Sequence, residues 1–329
     1  MALLKVKEET RPALRLVDTR KMERTQWLEV RKTGIGASDA AAAVGLSPYK
    51  SQLELWMEKT GRDADLPKPN PQDTTDPVYW GTLLEPIVAA AYTQQTGRRV
   101  RRVNAVLQHP QYPFMLANLD REVVSNPAVQ ILECKTAGEF GARLWREGVP
   151  EYVQLQVQHQ LAVTGKQAAD VAVLLCGQRL DVYRIARDEA LIERLIALES
   201  QFWDYVTRDS EPPADGSESA ERALRCLYPG NSSTVDFSDD RQLSATFADL
   251  VSMRQDIKAR EGLAEQFRQT LLQAMGNAES AQFETGKISF KRSKDATTLD
   301  TDRLLLDHPE LVPQYAKVRP GSRRFRMLA

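Results

Sequence analysis

VQILECK, residues Val129 to Lys135, reads as a β-strand: apolar residues dominate it, and it ends with a carboxylate and an ammonium two positions apart. Residues two apart on a strand point to the same face. Glu133 and Lys135 therefore emerge side by side, and Cys134 points the other way. A carboxylate and an ammonium fixed in one direction suit metal-assisted hydrolysis. The carboxylate holds a divalent cation, while the lysine orients or deprotonates a water and offsets phosphate charge. A plain ion pair at a strand end has the same pattern, so these residues alone do not separate chemistry from structure.

Working outward, Phe114–Leu119 reads as the preceding strand and ends at Asp120, thirteen residues before Glu133. A hairpin around Ser125-Asn126-Pro127 would set Asp120 beside Glu133 on neighbouring strands. Two carboxylates and a backbone carbonyl suit Mg²⁺ or Mn²⁺. Glu85, in a helix that follows Trp80-Gly81, can aim a third carboxylate at the same point. Downstream, the segment Pro150–Gly165 at 100° per residue puts Val153, Val157, Leu161 and Val163 on one arc. Gln156 and Gln160 fall inside that arc, Gln154 and Gln158 outside it. A glutamine that faces a sheet needs hydrogen-bond partners; an active-site lysine or water is one source, and backbone is another.

Other short elements surround this stretch. Ser38 or Asp39 caps an Ala40–Val44 helix, and Leu53–Lys59 and Leu83–Gln95 are further helices, each closed by a glycine. Val100–Leu107, Asp170–Cys176 and Leu180–Ile185 read as strands, and Asp188–Val206 as a long amphipathic helix. Helices flanking a central mixed sheet make an α/β unit. RDSEPPADGSES, from Arg208 to Ser219, is acidic, small and proline-interrupted, and reads as a linker. The expected organisation is a first domain over residues 1–208 and an accessory α+β region over 209–329. That region holds a helix near Asp239–Met275, strands near Gln282–Arg292, a short helix at Asp300–Leu306 and a basic tail.

Composition narrows the class. A chain of 329 residues with 42% hydrophobic and 27% charged residues can bury a core, and it contains no long apolar run. The first twelve residues hold too short an apolar stretch for a signal peptide, so the expected location is cytoplasmic, with no membrane partner. Cys134, Cys176 and Cys226 are scattered, which disfavours a disulfide framework, a zinc finger or an iron–sulfur cluster. His109, His159 and His308 lack ligand spacing and read as structural. A net charge of −1 argues against coating nucleic acid by bulk charge. It hides an acidic stretch from Asp209 to Asp240 and a basic end with Arg319, Arg323, Arg324 and Arg326, so local contact with a polyanion stays open.

The order Glu85, Asp120, Glu133-Cys134-Lys135, Gln156 resembles the PD-(D/E)XK nuclease core. Three further segments extend the match: Arg31-Lys32-Thr33-Gly34-Ile35-Gly36-Ala37-Ser38-Asp39, Trp80-Gly81-Thr82-Leu83-Leu84-Glu85 and Leu155-Gln156-Val157-Gln158. With them, the first 208 residues resemble the YqaJ-type viral recombinase family, which is similar to bacteriophage lambda exonuclease. The resemblance implies that Asp120, Glu133 and the Cys134 carbonyl bind the catalytic ions, Mg²⁺ or Mn²⁺, two per site, with Glu85 close by. Lys135 would serve the attacking water, and Gln156 would orient Lys135 or the phosphate. Arg31 and Ser38 match the family's pocket for a terminal 5′-phosphate, and a helix N-terminus at Ser38 would favour an anion there.

The match has departures. Asn118 replaces a hydroxyl residue of the family, Arg143 is the candidate for its second phosphate arginine, and Arg121 stands beside the metal site, where strand geometry should turn it to the opposite face. The implied activity is a Mg²⁺-dependent exonuclease of phage-type recombination that degrades the 5′ strand of linear duplex DNA. Its partners would be double-stranded DNA ends and a single-strand annealing protein, and the assembly a homotrimer around DNA. An endonuclease of restriction or repair type, or a non-catalytic DNA-end-binding scaffold, would be the alternatives.

Overall fold

The computed structural model describes residues 13–70, 72–318, 321 and 323–327. The amino-terminal stretch read against a signal peptide lies outside the described residues, as does Arg319 of the basic end. The chain divides into two compact units between Pro229 and Gly230.

The first unit opens with β1 (Leu14–Asp18), α1 (Arg24–Lys32), β2 (Ile35–Gly36), a 3₁₀ turn at Ala37–Asp39, α2 (Ala40–Ala43), α3 (Gln52–Lys59) and α4 (Pro77–Thr96). There follow β3 (Val100–Arg101), β4 (Ala105–Gln108), β5 (Met115–Ala117), β6 (Arg121–Val123) and β7 (Ile131–Ala137). After a 3₁₀ turn at Gly141–Trp145 come α5 (Glu151–Thr164), β8 (Ala168–Leu175), β9 (Arg179–Ala186), α6 (Glu189–Thr207) and α7 (Glu218–Leu227). Local chemistry sets the helix ends. The Asp76 side chain accepts from Val78 N ahead of α4 and Asp188 from Leu191 N ahead of α6, while Gly97 and Gly165 close α4 and α5 in the left-handed conformation.

The strands form two sheets rather than one. The larger runs β3-β6-β7-β8-β9 and the smaller β1-β4-β5-β2. In the larger sheet only β7 and β8 are parallel, in the register Glu133↔Val171 and Lys135↔Val173. The expected strand Val100–Leu107 divides between them: Val100 and Arg101 pair with β6, whereas Ala105–Gln108 pair with β1 and β5. The pattern does not alternate through the break: Arg101 and Arg102 are both exposed, whereas Ala105, Val106 and Leu107 are all buried, and between them the chain changes sheets. The strand expected at Phe114–Leu119 ends at Ala117 for the same reason. Asp120 thus sits on the bend that carries the chain from the smaller sheet to the larger.

Helix α5 lies in the core. Its buried residues include Val153, Leu155, Val157, Leu161 and Val163, and also Gln158, His159 and Gln160. Its solvent side is confined to Glu151 and Gln154 at the first turn, so Gln154 is exposed as expected, while Gln158, expected outside the apolar arc, is buried. Its amide donates to Ala186 O and its oxygen accepts from Asp188 N, closing the β9–α6 junction. His159 is fully buried between Glu199, at 2.7 Å, and the Leu116 carbonyl, at 3.0 Å. Beside it, β2 runs so close to β5 that a Cβ on Gly34 would lie 2.5 Å from Phe114 O. Only glycine fits there.

The expected boundary at 208/209 is displaced by α7, which starts inside the segment read as a linker. Ala220 and Ala223 are buried, Ser219 Oγ accepts from Ser51 N at 2.8 Å and donates to Glu54 Oε2, and Arg222 pairs with Glu54. These contacts bind α7 to α3 and extend the first unit to Pro229. The second unit holds α8 (Arg241–Met275), a hairpin of β10 (Ser280–Phe283) and β11 (Gly286–Ser289), α9 (Thr301–Asp307) and α10 (Leu311–Tyr315); no residue of α8 is buried. Among the described residues no helix is long and apolar enough to cross a membrane.

Candidate active site

The β6–β7 hairpin turns at Ser125, whose φ is +56°, and pairs Arg121 with Leu132. This register sets the bend residue Asp120 against the middle of β7, and its Oδ2 accepts from Cys134 N at 2.8 Å. Cys134 packs among Val88, Ala89, Tyr92 and Leu132 on the α4 side of the sheet. Glu133 and Lys135 face α5, on the side opposite Cys134, as strand alternation requires. There Lys135 Nζ donates to Glu133 Oε1 at 2.7 Å and to Gln156 Oε1 at 2.9 Å. Gln156 Nε2 donates to Glu133 Oε1 at 2.6 Å, and Gln160 Nε2 reaches the other oxygen, Oε2, at 2.7 Å. Glu133 is thus held by three side chains.

The electrostatics follow from that crowding. Burial, and then the neighbouring charge of Glu133, pushes the Asp120 carboxyl up to about 8. Burial would lower Lys135, but the Glu133 carboxylate beside it outweighs this and leaves its pKa raised. Lys135 is accordingly an ammonium ion. Burial likewise pushes the Cys134 thiol up, which makes it a poor nucleophile.

A pocket of about 400 Å³ joins this cluster to the segment after α1; its walls include Glu85, Asn118, Asp120, Glu133, Lys135 and Gln156 on one side of that division, and Trp27, Arg31 and Ser38 on the other. Arg31 Nη2 donates to Ser38 Oγ at 3.0 Å and to Asp39 Oδ1 at 2.7 Å, and its guanidinium lies 4.9 Å from the centre of the Trp27 ring. The expected helix cap is not formed. Ala37–Asp39 is a 3₁₀ turn, α2 has four residues, and Asp39 turns its carboxylate to Arg31 and Lys59 instead of the helix end.

The structure brings Glu85, Asp120, Glu133, Cys134, Lys135, Gln156, Arg31, Ser38 and Asn118 to one pocket. Arg143 is not among its lining residues and stacks instead on Phe140, 5.5 Å from the ring centre. Arg121 turns to the α4 side of the sheet with its strand partner Leu132, as alternation expects, and does not line the pocket. It is buried, and its Nη1 donates to both Glu85 Oε1 and the Asp120 carbonyl, so Glu85 is held by an arginine next to the site. Sequence reading missed Lys59, read Asp39 only as a candidate helix cap, and left the partners of Arg121 and Gln160 unassigned. Lys59, near the end of a helix that buries Leu53, Leu55, Trp56 and Met57, was the available signal, since a cation on a buried helix requires a partner.

No group of three or more His, Cys, Asp or Glu side chains among the described residues is arranged around a metal position. The donor set nevertheless fits a hard divalent cation: two converging carboxylates whose repulsion a cation would relieve, on residues flanking a main-chain carbonyl. Glu85 lines the same pocket and gives its Oε1 to Arg121.

Residues 26–167 match the family described as the YqaJ-like viral recombinase domain. Over 254 residues the chain is 36% identical to the uncharacterized protein YqaJ of Bacillus subtilis strain 168, covering 76% of each chain. The chain belongs to the YqaJ-like viral recombinase family. Among solved structures it is similar to an alkaline exonuclease, LHK-Exo, from Laribacter hongkongensis, at 23% identity and a TM-score of 0.46, covering 56% of this chain and 93% of that one. It is also similar to a phage related exonuclease from Haemophilus somnus 129PT, at 13% identity and a TM-score of 0.37, covering 54% of this chain and 96% of that one. In this YqaJ-like domain a mixed sheet flanked by helices carries an aspartate at the bend before a hairpin and a Glu-X-Lys on its second strand. That is the layout expected from the sequence resemblance to the PD-(D/E)XK core.

Proposed function

We propose that this YqaJ-like protein is a Mg²⁺-dependent deoxyribonuclease that degrades the 5′ strand of linear duplex DNA, leaving 3′ single strands for an annealing protein. The observation that carries the reading is the joining, in one pocket, of the Asp120–Glu133–Lys135–Gln156 cluster to Arg31 and Ser38. Asp120 and Glu133, with the Cys134 carbonyl, would hold the cation, for which Mn²⁺ is the natural substitute and a second ion the natural complement. When bound, such an ion neutralises phosphate charge and lowers the pKa of a coordinated water.

The chain's own groups do the rest. Lys135, held in place by Glu133 and Gln156, stands over the carboxylates as a fixed positive charge, placed to orient the attacking water and to balance charge that develops on the phosphate. Gln156 bridges Lys135 and Glu133 and keeps their spacing constant. Arg31 and Ser38 would take the terminal phosphate, which places the end of the strand and not its interior against the carboxylates. A ring of three copies around DNA, in the cytoplasm, would make the digestion processive.

The test is digestion of linear and covalently closed duplex DNA with Mg²⁺ or EDTA, beside Glu133→Ala. Loss of linear DNA alone, abolished by EDTA and by the substitution, is expected. Cutting of closed circles would instead indicate an endonuclease, and binding without cleavage of either substrate would remove the catalytic reading.

A further inference from the structure

We propose that Asp39, backed by Lys59, is the positioning residue that aims Arg31 at a DNA-terminal phosphate; this rests on the reading of Arg31 and Ser38 given above. Asp39 is 4% exposed and divides its carboxylate between two cations. Oδ1 accepts from Arg31 Nη2 at 2.7 Å, and Oδ2 accepts from Lys59 Nζ at 2.8 Å. Lys59 Nζ also donates to the Arg31 carbonyl at 2.9 Å. One buried pair therefore fixes both the side chain and the main chain of Arg31.

Three features point to a phosphate as the group that Arg31 is held for. A free arginine on a pocket wall would lose much rotamer freedom on gripping a ligand, and anchoring it in advance removes that cost. The anchoring uses Nη2 alone: no partner of Nε or Nη1 is found among the described residues, so that side of the guanidinium remains available. The charge balance of the three groups is two cations to one carboxylate, a surplus of one positive charge that the pocket-lining Arg31 presents. A terminal phosphate offsets this surplus, and a terminal hydroxyl does not. Stability alone is a weak account of the cluster, because a buried ion pair is commonly no more stable than apolar side chains of the same volume. Asp39 therefore sets the preference for phosphorylated ends without touching the DNA.

The experiment is fluorescence anisotropy with blunt duplexes bearing 5′-phosphate or 5′-hydroxyl ends, in EDTA so that no cleavage is required. Wild-type protein should prefer the phosphorylated duplex, and Asp39→Asn should lower that preference about tenfold, the loss of one well-placed charged contact. In an Arg31→Gln background, Asp39→Asn should change the preference no further. Equal weakening toward both ends, an undiminished effect in the Arg31→Gln background, or no wild-type preference would each overturn the proposal. Thermal melting establishes that each variant is folded. If Asp39→Asn is not, Asp39→Glu displaces the same carboxylate by one methylene and should also lower the preference; a wild-type ratio in that variant overturns the proposal equally. Phosphate preference in a protein that digests no DNA would sink the nuclease reading alone. Digestion without preference would sink this one alone.

Discussion

Asp120 lines the pocket, and Asp39 lies directly behind one of its lining residues, Arg31; the two carboxyls are displaced in opposite directions. Burial raises both. At Asp120 the next influence is a second carboxylate, Glu133, and the carboxyl rises to about 8. At Asp39 burial is outweighed by Arg31 and Lys59, and the carboxyl falls well below its ordinary value. Neighbours, not residue type or depth, decide what each aspartate does. The first cluster has two carboxylates to one ammonium and calls for a cation. The second has two cations to one carboxylate and leaves a guanidinium ready for an anion. A polyanion carried by a divalent cation meets both demands at once.

Glu133→Ala is the largest way to break that contrast. It removes the charge that raises Asp120 and supports Lys135, and DNA digestion should fall about a thousandfold or more, a size typical of residues that act as a unit. The rate of linear-duplex loss measures it, with a retained circular-dichroism spectrum as the folding control. Asp39→Asn attacks the other cluster. Breaking a buried ion pair costs about 3–5 kcal/mol, but the Arg31 side chain is 26% exposed, so water screens part of the loss. We expect about 2–3 kcal/mol by urea unfolding, with no change in the m-value. A cost near zero would mean that Lys59 and Arg31 find other partners.

Much of the first cluster was legible in sequence because it is local. Glu133 and Lys135 need only a strand's period of two, and Asp120 joins them through one short turn. Gln156 could be placed by helix periodicity. The second cluster was not legible, since Asp39 and Lys59 meet through the packing of α3 and no local rule forecasts that pair. Arg121 was placed by strand alternation on the α4 side, as found; what alternation leaves out is that its long guanidinium stem reaches Glu85 there. The break in Val100–Leu107 is marked by Arg101 and Arg102 side by side and by the unbroken apolar run Ala105–Leu107, which a single alternating strand would not carry. The helix α7 was hidden by its acidic, proline-interrupted approach, although Ser217 caps it by accepting from Ala220 N.

Gln160 sharpens the description of the first cluster. It is fully buried, and its amide N–H₂ is what holds Glu133 Oε2, the oxygen that neither Lys135 nor Gln156 touches. Gln160→Leu should keep the helix and release that oxygen. Groups that orient a metal-binding side chain are typically worth about 10–100-fold, and we expect the Mg²⁺ concentration for half-maximal digestion to rise by about tenfold. A fall confined to the maximal rate, at unchanged Mg²⁺ dependence, would place Gln160 with Lys135 instead of with the cation.

The smallest effect is also the most direct comparison of the two aspartates: the pH dependence of melting in EDTA. An unfolded aspartate releases its proton near pH 3.9. Folded Asp120 keeps its proton to about pH 8, so between those values the folded state binds more protons than the unfolded one. Stability from this group is therefore fully present below about pH 4 and is lost as the pH rises toward 8. Asp39 has the opposite sign: its folded carboxyl is depressed, so its contribution is present above about pH 4 and disappears only on acidification. We expect a loss of about 1–2 kcal/mol between pH 5.5 and 7.5. Asp120→Asn should flatten that slope while leaving the acid limb in place, and Asp39→Asn should remove the acid limb while leaving the slope. Mg²⁺ should flatten the slope in wild-type protein alone. A slope that survives Asp120→Asn would assign it to another group and dissolve the contrast between the two carboxyls.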